Sequence, residues 1–188
     1  SRNNKRRFII DLHSLFITPV FSLNLGGYED LIKVIQEIKS KDPVGINKSN
    51  KEGWHSASNL QEDDRFNILK SEIINLGQEA FNHLSVQDFI IPSMTGMWAM
   101  VNGPGSKNHL HIHAFNYLSG VFYLKVPENS GNLVLVNPKP KMNHCYYSKT
   151  LSQYIPSLNH DFVIKPEPLA VVIFPSWLEH YVEPNLSK

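Results

Sequence analysis

The chain has 188 residues, of which 41% are apolar, 11% aromatic and 19% charged. Such a composition excludes an intrinsically disordered chain and predicts a single globular domain over residues 1–188. Eighteen Lys and Arg residues nearly balance seventeen Asp and Glu residues, which leaves a net charge of +1. We therefore expect no binding to a nucleic-acid backbone or to an anionic membrane. The single cysteine, Cys145, excludes an internal disulfide, and the chain has no apolar run of membrane-spanning length, so a cytoplasmic protein is expected.

The first third of the chain predicts one strand and two helices. The strand is expected over residues 15–25, at a sheet edge where it could pair with a second copy of the chain to form a homodimer. Apolar residues at helical spacing predict a first helix over residues 28–39 and a second over about 63–84. Residues 40–62 are rich in Gly, Pro, Asn and Ser and predict a long loop. Each helix has one apolar face, which needs a sheet to cover it.

From residue 90 onward the apolar pattern changes to a period of two, which predicts strands. Many short strands in succession are typical of an antiparallel barrel, and a jelly roll is the commonest arrangement with this strand number. The expected fold is therefore mainly β (α+β), with the two N-terminal helices packed on the outer face of the jelly roll. The predicted strands are 97–102, 109–113, 118–126, 132–137, 162–165, 170–174 and 180–182.

The most informative segment contains His109, His111 and His113 at alternate positions. In a strand, side chains two residues apart point to the same side, so two neighbouring members of this series could bind one metal ion. A third ligand is expected from elsewhere, and His180 is the best candidate because it follows an apolar strand and a Pro-Ser turn. Two ligands from one strand and one from a distant strand leave the opposite side of the ion open. The residues alone leave either His109 or His113 as the partner of His111.

Five motifs in a fixed order carry a resemblance to a known family. In them the chain resembles the Fe(II)- and 2-oxoglutarate-dependent dioxygenases, and more closely a bacterial and phage subgroup of 2OG-Fe(II) oxygenases. The motifs are Gly-Trp-His-Ser at 53–56, Trp98 followed by Asn108-x-x-His111-x-His113, Leu-Ser-Gly-Val-Phe-Tyr-Leu at 118–124, Gly-Asn-Leu-Val at 131–134 and Phe-Pro-Ser-Trp-Leu-x-His at 174–180.

This resemblance implies a double-stranded β-helix in which His111, His113 and His180 bind Fe(II). It also implies 2-oxoglutarate as co-substrate, O2 as oxidant, and hydroxylation of a small molecule or a peptide. Tyr123 matches a strand tyrosine that binds the distal carboxylate of 2-oxoglutarate in related hydroxylases. Its phenol could do so if it points inward, whereas an ordinary barrel residue is the alternative.

Two positions depart from the family pattern. His113 stands where the family usually has a carboxylate ligand, so the bound ion would keep its full +2 charge. The arginine that pairs with the co-substrate carboxylate is expected about nine residues beyond the last histidine, past Lys188. We therefore expect either that the sequence stops short of a final strand or that Lys125, two residues after Tyr123, provides the cation.

Two other functions are compatible with the same residues. The histidines also match part of the cupin pattern, which includes three-histidine metalloenzymes that do not use 2-oxoglutarate. A non-catalytic jelly-roll module with a structural metal is the other alternative. Among the tryptophans, Trp98 and Trp177 are candidate pocket walls, and Trp54 is either part of a lid or an anchor in the core.

Overall fold

The computed structural model describes residue 11 and the ranges 16–139 and 161–188. The predicted features at Leu15 and Cys145 lie outside these residues. Among the described residues, no helix has the length and apolar composition that crossing a membrane requires. The elements of the described part are β1 Phe21–Asn24, α1 Leu31–Lys41, β2 Asn50–Lys51, β3 Trp54–His55, α2 Asn67–His83, β4 Met100–Val101, β5 Lys107–His111, β6 Leu118–Phe122, β7 Leu133–Val136, β8 Asp161–Ile164, β9 Ala170–Pro175 and β10 His180–Val182, with short 3-10 turns at Leu60–Glu62 and Asp64–Phe66.

The strands form three antiparallel sheets. The first has the order β1-β9-β6, the second β2-β5-β10-β7-β8, and β3 pairs with β4. In the second sheet, β10 lies between β5 and β7, although both strands come long before it in the chain. This crossover places the C-terminal strand directly beside the histidine-rich strand.

Strand β9 is apolar throughout, and its alternate residues face two different apolar clusters. Val171 and Ile173 belong to an outer cluster that includes residues of α1, α2 and the 3-10 turns. Val172 and Phe174 belong to an inner cluster with residues of β6, β7, β8 and β10. Both faces of the strand are therefore covered, which explains its continuous apolar sequence. The helices contribute Leu31, Val34, Ile35, Ile38, Leu69, Ile73 and Leu76 to the outer cluster, as their apolar stripes require.

The coarse prediction of a mainly β fold with two helices is confirmed. Several boundaries were wrong. Residues 40–62, predicted as a loop, contain β2 and β3, because their backbone groups pair with β5 and β4 rather than with solvent. The strand predicted over residues 15–25 is limited to β1, which does lie at a sheet edge. The strand predicted over residues 118–126 ends at Phe122.

Candidate metal centre

Strands β5 and β10 bring two of the candidate histidines together. His111 pairs directly with His180 across the two strands, whereas Asn108 pairs with Val182. Two residues of β5, 109 and 110, thus lie opposite the single residue 181 of β10, which defines a β-bulge. Directly paired residues point to the same side of a sheet, so the bulge places Asn108 and His111 on one face. The prediction that His109, His111 and His113 share one face of a regular strand is therefore wrong.

His113 lies two residues beyond the end of β5 and still reaches the same place. Its backbone N–H donates a hydrogen bond of 3.0 Å to the carbonyl of Ser176, in the turn between β9 and β10. Ser176 is completely buried, and its hydroxyl lies 2.7 Å from that of Ser119 on β6. This contact fixes the segment after β5 against the turn that precedes His180.

The three histidines form one cluster. A ligand atom of each of His111, His113 and His180 lies within 4.8 Å of a ligand atom of the other two. The ring centroids of His111 and His180 are 4.2 Å apart, and that of His113 lies 5.0 and 5.1 Å from theirs. Within the described ranges, this is the only group of three or more His, Cys, Asp or Glu residues with such spacing. His109 is exposed and does not join it.

The orientation of two of the rings is set by hydrogen bonds to the backbone. Nδ1 of His111 lies 2.7 Å from the carbonyl oxygen of His109, and Nδ1 of His180 lies 2.8 Å from that of Leu178. A carbonyl oxygen can only accept, so each Nδ1 carries the proton. The lone pair of each neutral ring is then on Nε2, the atom that remains available to a metal ion.

The environment also keeps His113 and His180 unprotonated. Burial, together with the neighbouring charges of His180 and His111, lowers the pKa of His113 to about 4. Burial lowers the pKa of His180 to about 4 as well, against the opposing effect of its hydrogen bond to Leu178. Both rings are consequently neutral at pH 7, as metal ligation requires.

Aromatic rings form part of the surroundings. Phe174 packs edge-on against His180 with the centroids 4.8 Å apart. The ring centroid of Trp98 lies 5.5 Å from that of His113. The Trp98 ring is also stacked on the buried ring of His55, with the centroids 5.6 Å apart. Trp98 thus lies beside the cluster, while Trp177 is 53% exposed.

Trp54, for which a lid and a core position were the two alternatives, lies in the core. Trp54 is buried in the outer cluster, and its indole N–H donates a hydrogen bond of 2.7 Å to the carbonyl of Asp42. Gly45 lies so close that a Cβ atom there would come within 2.9 Å of the indole. Trp54 therefore anchors the loop between α1 and β2 to the core instead of forming part of a lid.

The two candidate co-substrate residues occupy different environments. Tyr123 follows β6 directly and packs against the inner cluster. Burial raises the pKa of its phenol to about 12, and among the described residues its hydroxyl has no hydrogen-bond partner. Lys125 is exposed, three residues beyond the end of β6.

The cluster has the donor set of an open metal site. Three imidazoles converge, and within residues 16–139 and 161–188 no carboxylate or thiol joins them. Imidazole nitrogen suits iron, zinc, copper and nickel, and three ligands leave further coordination positions free. The fold and the site thus define a β-sheet protein with a candidate site for an open, non-haem metal ion.

Comparisons with known proteins specify the class further. Residues 96–188, which contain all three histidines, match the family model described as "Putative 2OG-Fe(II) oxygenase". The solved structure of a prolyl-4-hydroxylase from Pseudomonas putida is similar over 90% of this chain and 87% of that chain, with a TM-score of 0.59 and 13% sequence identity. At that identity the likeness concerns the fold alone. No curated protein matches the chain.

Over these 93 of its 188 residues, the chain has the sequence pattern of the 2OG-Fe(II) oxygenase family. It is an enzyme of the dioxygenase type, which uses Fe(II), 2-oxoglutarate and O2. The three histidines fit the iron, because their ligand atoms converge and the Nδ1 atoms of His111 and His180 are bonded to carbonyl oxygens, which leaves Nε2 of both rings for the ion.

Proposed function

We propose that His111, His113 and His180 hold the Fe(II) ion of a hydroxylase. The observation that carries this assignment is the convergence of their ligand atoms within 4.8 Å, with the Nδ1 protons of His111 and His180 already committed to carbonyl oxygens. When bound, Fe(II) together with 2-oxoglutarate and O2 supplies the oxidant that converts a C–H bond of the substrate to C–OH, with succinate and CO2 as co-products. The protein holds the ion, orients both organic molecules and keeps water away from the oxidant.

The inner cluster is the proposed site for the co-substrate. In this proposal the chain forms a double-stranded β-helix, with the two larger sheets enclosing the inner cluster and the helices covering the outer face of β9. Tyr123 packs on the inner cluster with a phenol that stays protonated at neutral pH. Its O–H can therefore donate a hydrogen bond to the distal carboxylate of 2-oxoglutarate. Lys125 is the second candidate for that carboxylate, although its exposure would require the side chain to fold back.

The substrate is proposed to be a small molecule or a peptide that contacts the rim beside His113. Contiguous exposed apolar side chains are unusual on a surface without a binding role. This rim includes exposed apolar and aromatic side chains. Ile112 and Trp177 are the direct chain neighbours of His113 and Ser176, whose backbones are hydrogen-bonded to each other. Tyr117, 69% exposed, accepts a hydrogen bond from the N–H of Ser176 through its own carbonyl.

The decisive experiment is an anaerobic titration of the protein with Fe(II) and 2-oxoglutarate. Chelation of the iron by the keto acid should produce a weak visible metal-to-ligand charge-transfer band, and admission of air should then yield succinate. A matched pair of variants, His180→Ala and His109→Ala, should lose and keep the band, respectively. Absence of the band and of succinate in the unmodified protein would refute the assignment.

A second candidate is a three-histidine metalloenzyme of the cupin type that does not use 2-oxoglutarate. The observation that favours it is the donor set, because within the described residues the cluster contains three imidazoles and no carboxylate. Oxygen consumption in the absence of 2-oxoglutarate, or activity with a metal other than iron, would identify this alternative.

A further inference from the structure

Lys48 lies beside the metal centre and has no role in the function proposed above. Its Nζ atom is 5.9 Å from the ring centroid of Trp98, whose own centroid is 5.5 Å from that of His113. The ammonium donates one hydrogen bond, of 2.9 Å, to the hydroxyl of Ser58. An ammonium has three N–H donors, so two are left for another acceptor.

Within residues 16–139 and 161–188, no carboxylate forms a salt bridge with Lys48. In the described part of the chain the salt bridges are those of Arg65 with Asp63 and Glu37, and none involves Lys48. The Trp98 ring that its Nζ atom faces lies beside the rings of both His55 and His113. With a divalent ion on three neutral imidazoles, the site carries a surplus of positive charge that only a bound anion can offset.

The backbone around Lys48 is held in place by the strand that carries His111. The carbonyl of Ser49 accepts a hydrogen bond of 2.8 Å from the N–H of His109, and the Ser49 hydroxyl accepts one of 3.1 Å from the side-chain amide of Asn108. The Asn50 side chain accepts from the N–H of Lys48 and donates to the carbonyl of Gly53. A cation on such a fixed segment binds a ligand group at a lower entropic cost than one on a free loop.

We propose that Lys48 and the face of Trp98 form a subsite for an anionic group, a carboxylate or a phosphate, of a molecule bound beside the metal centre. The inference rests on the proposed function, because the anion belongs either to the substrate of that reaction or to 2-oxoglutarate. If the anion belongs to the substrate, Lys48 is a specificity-determining residue and the substrate is an anionic compound.

The test measures anion binding without turnover. Zn(II)-loaded protein labelled with 15N in the tryptophan indole groups is titrated with inorganic phosphate and with succinate, and the Trp98 indole signal is followed by NMR after assignment with a Trp98→Phe variant. Both anions should shift the signal in the unmodified protein and in Lys48→Arg, while Lys48→Gln should bind them about tenfold more weakly. The control Lys51→Gln, an exposed lysine three residues away, should behave like the unmodified protein.

A competition experiment distinguishes the two sources of the anion. If saturating 2-oxoglutarate abolishes the phosphate-dependent shift, the subsite serves the co-substrate; if the shift persists, it serves the substrate. A Trp98 signal that ignores both anions, or responds equally in Lys48→Gln, would overturn the inference. The charge-transfer titration of the iron complex is read independently, so failure of either proposal is recognised without the other.

Discussion

The two apolar clusters on either side of β9 differ in the residues that enclose them. The outer cluster is enclosed by helical side chains and by Trp54, and the hydroxyl of its Tyr28 donates a hydrogen bond to Glu72. The inner cluster has the ring of His180 against Phe174 and contains Tyr123, a phenol with no hydrogen-bond partner among the described residues. We therefore expect β9 to support stability on one face and ligand binding on the other. The comparison predicts that substitutions on the two faces affect different measurements.

The largest effect is expected from removal of a ligand at the inner side. His180→Ala should reduce iron affinity and 2-oxoglutarate-dependent succinate formation by more than about 100-fold, since even the hydrogen-bond partners of metal ligands are worth 10–100-fold. Isothermal titration with the metal and a succinate assay measure the two quantities. His109→Ala is the matched control, expected within about twofold of the unmodified protein because that ring is outside the cluster. Equal losses in both variants would contradict the assigned ligand set.

A truncation at the outer side should change stability and leave metal binding intact. Phe66 is 2% exposed and packs in the outer cluster, so Phe66→Ala should lower the free energy of unfolding by about 3–4 kcal/mol. Urea denaturation measures this loss, with Ile68→Ala, 77% exposed, as a control expected to change it by less than about 0.5 kcal/mol. A folded Phe66→Ala protein that no longer bound metal would show that the two faces are coupled.

Acidification of the metal-free protein tests the inner side again. The unfolded chain protonates His113 and His180 near their ordinary pKa of 6.5, whereas the folded protein does so near pH 4. The unfolded state therefore binds more protons between these values, and stability falls as the pH is lowered from about 6.5 to 4. We expect a loss on the order of 2 kcal/mol between pH 7 and pH 5 in urea denaturation. A His113→Gln, His180→Gln double variant should lose most of this dependence; a profile as steep as that of the unmodified protein would place its origin elsewhere.

The smallest effect is expected at Tyr123. Tyr123→Phe removes a phenol that makes no hydrogen bond to the residues described, so the melting temperature should stay the same or rise slightly. If the phenol binds the co-substrate carboxylate, the KM for 2-oxoglutarate should increase about tenfold, with the iron affinity unchanged. An unaltered KM would assign Tyr123 to packing alone.

The sequence predicted the cluster of His111, His113 and His180 better than it predicted the strand beside it. His111 and His113 could be recognised from the alternating histidines, and His180 because it follows an apolar strand and a turn, which are both local patterns. The bulge between Asn108 and His111 could not, because it is defined only by the register against β10, some seventy residues away in sequence. The alternation of β5 was therefore overestimated, and His109 was retained as a candidate although it faces away.

The approach of Lys48 to Trp98 was missed for a similar reason. Residues 40–62 have the composition of a loop, and such a composition contains no information on what the loop packs against. Its position depends on the indole of Trp54 bonding to Asp42 and on Ser49 bonding to β5. Both contacts join residues that are separated by at least a dozen positions, so no local pattern reports them.

The carbonyl acceptors of His111 and His180 are each only two residues upstream of the ring they orient, at His109 in β5 and at Leu178 in the turn before β10. The tautomer of either imidazole is thus encoded in a tripeptide and does not depend on a distant carboxylate or amide. Substitution of the surrounding side chains should therefore leave Nε2 of either ring as the nitrogen available to a metal ion. The same tripeptide could also be transferred to another β-barrel by design.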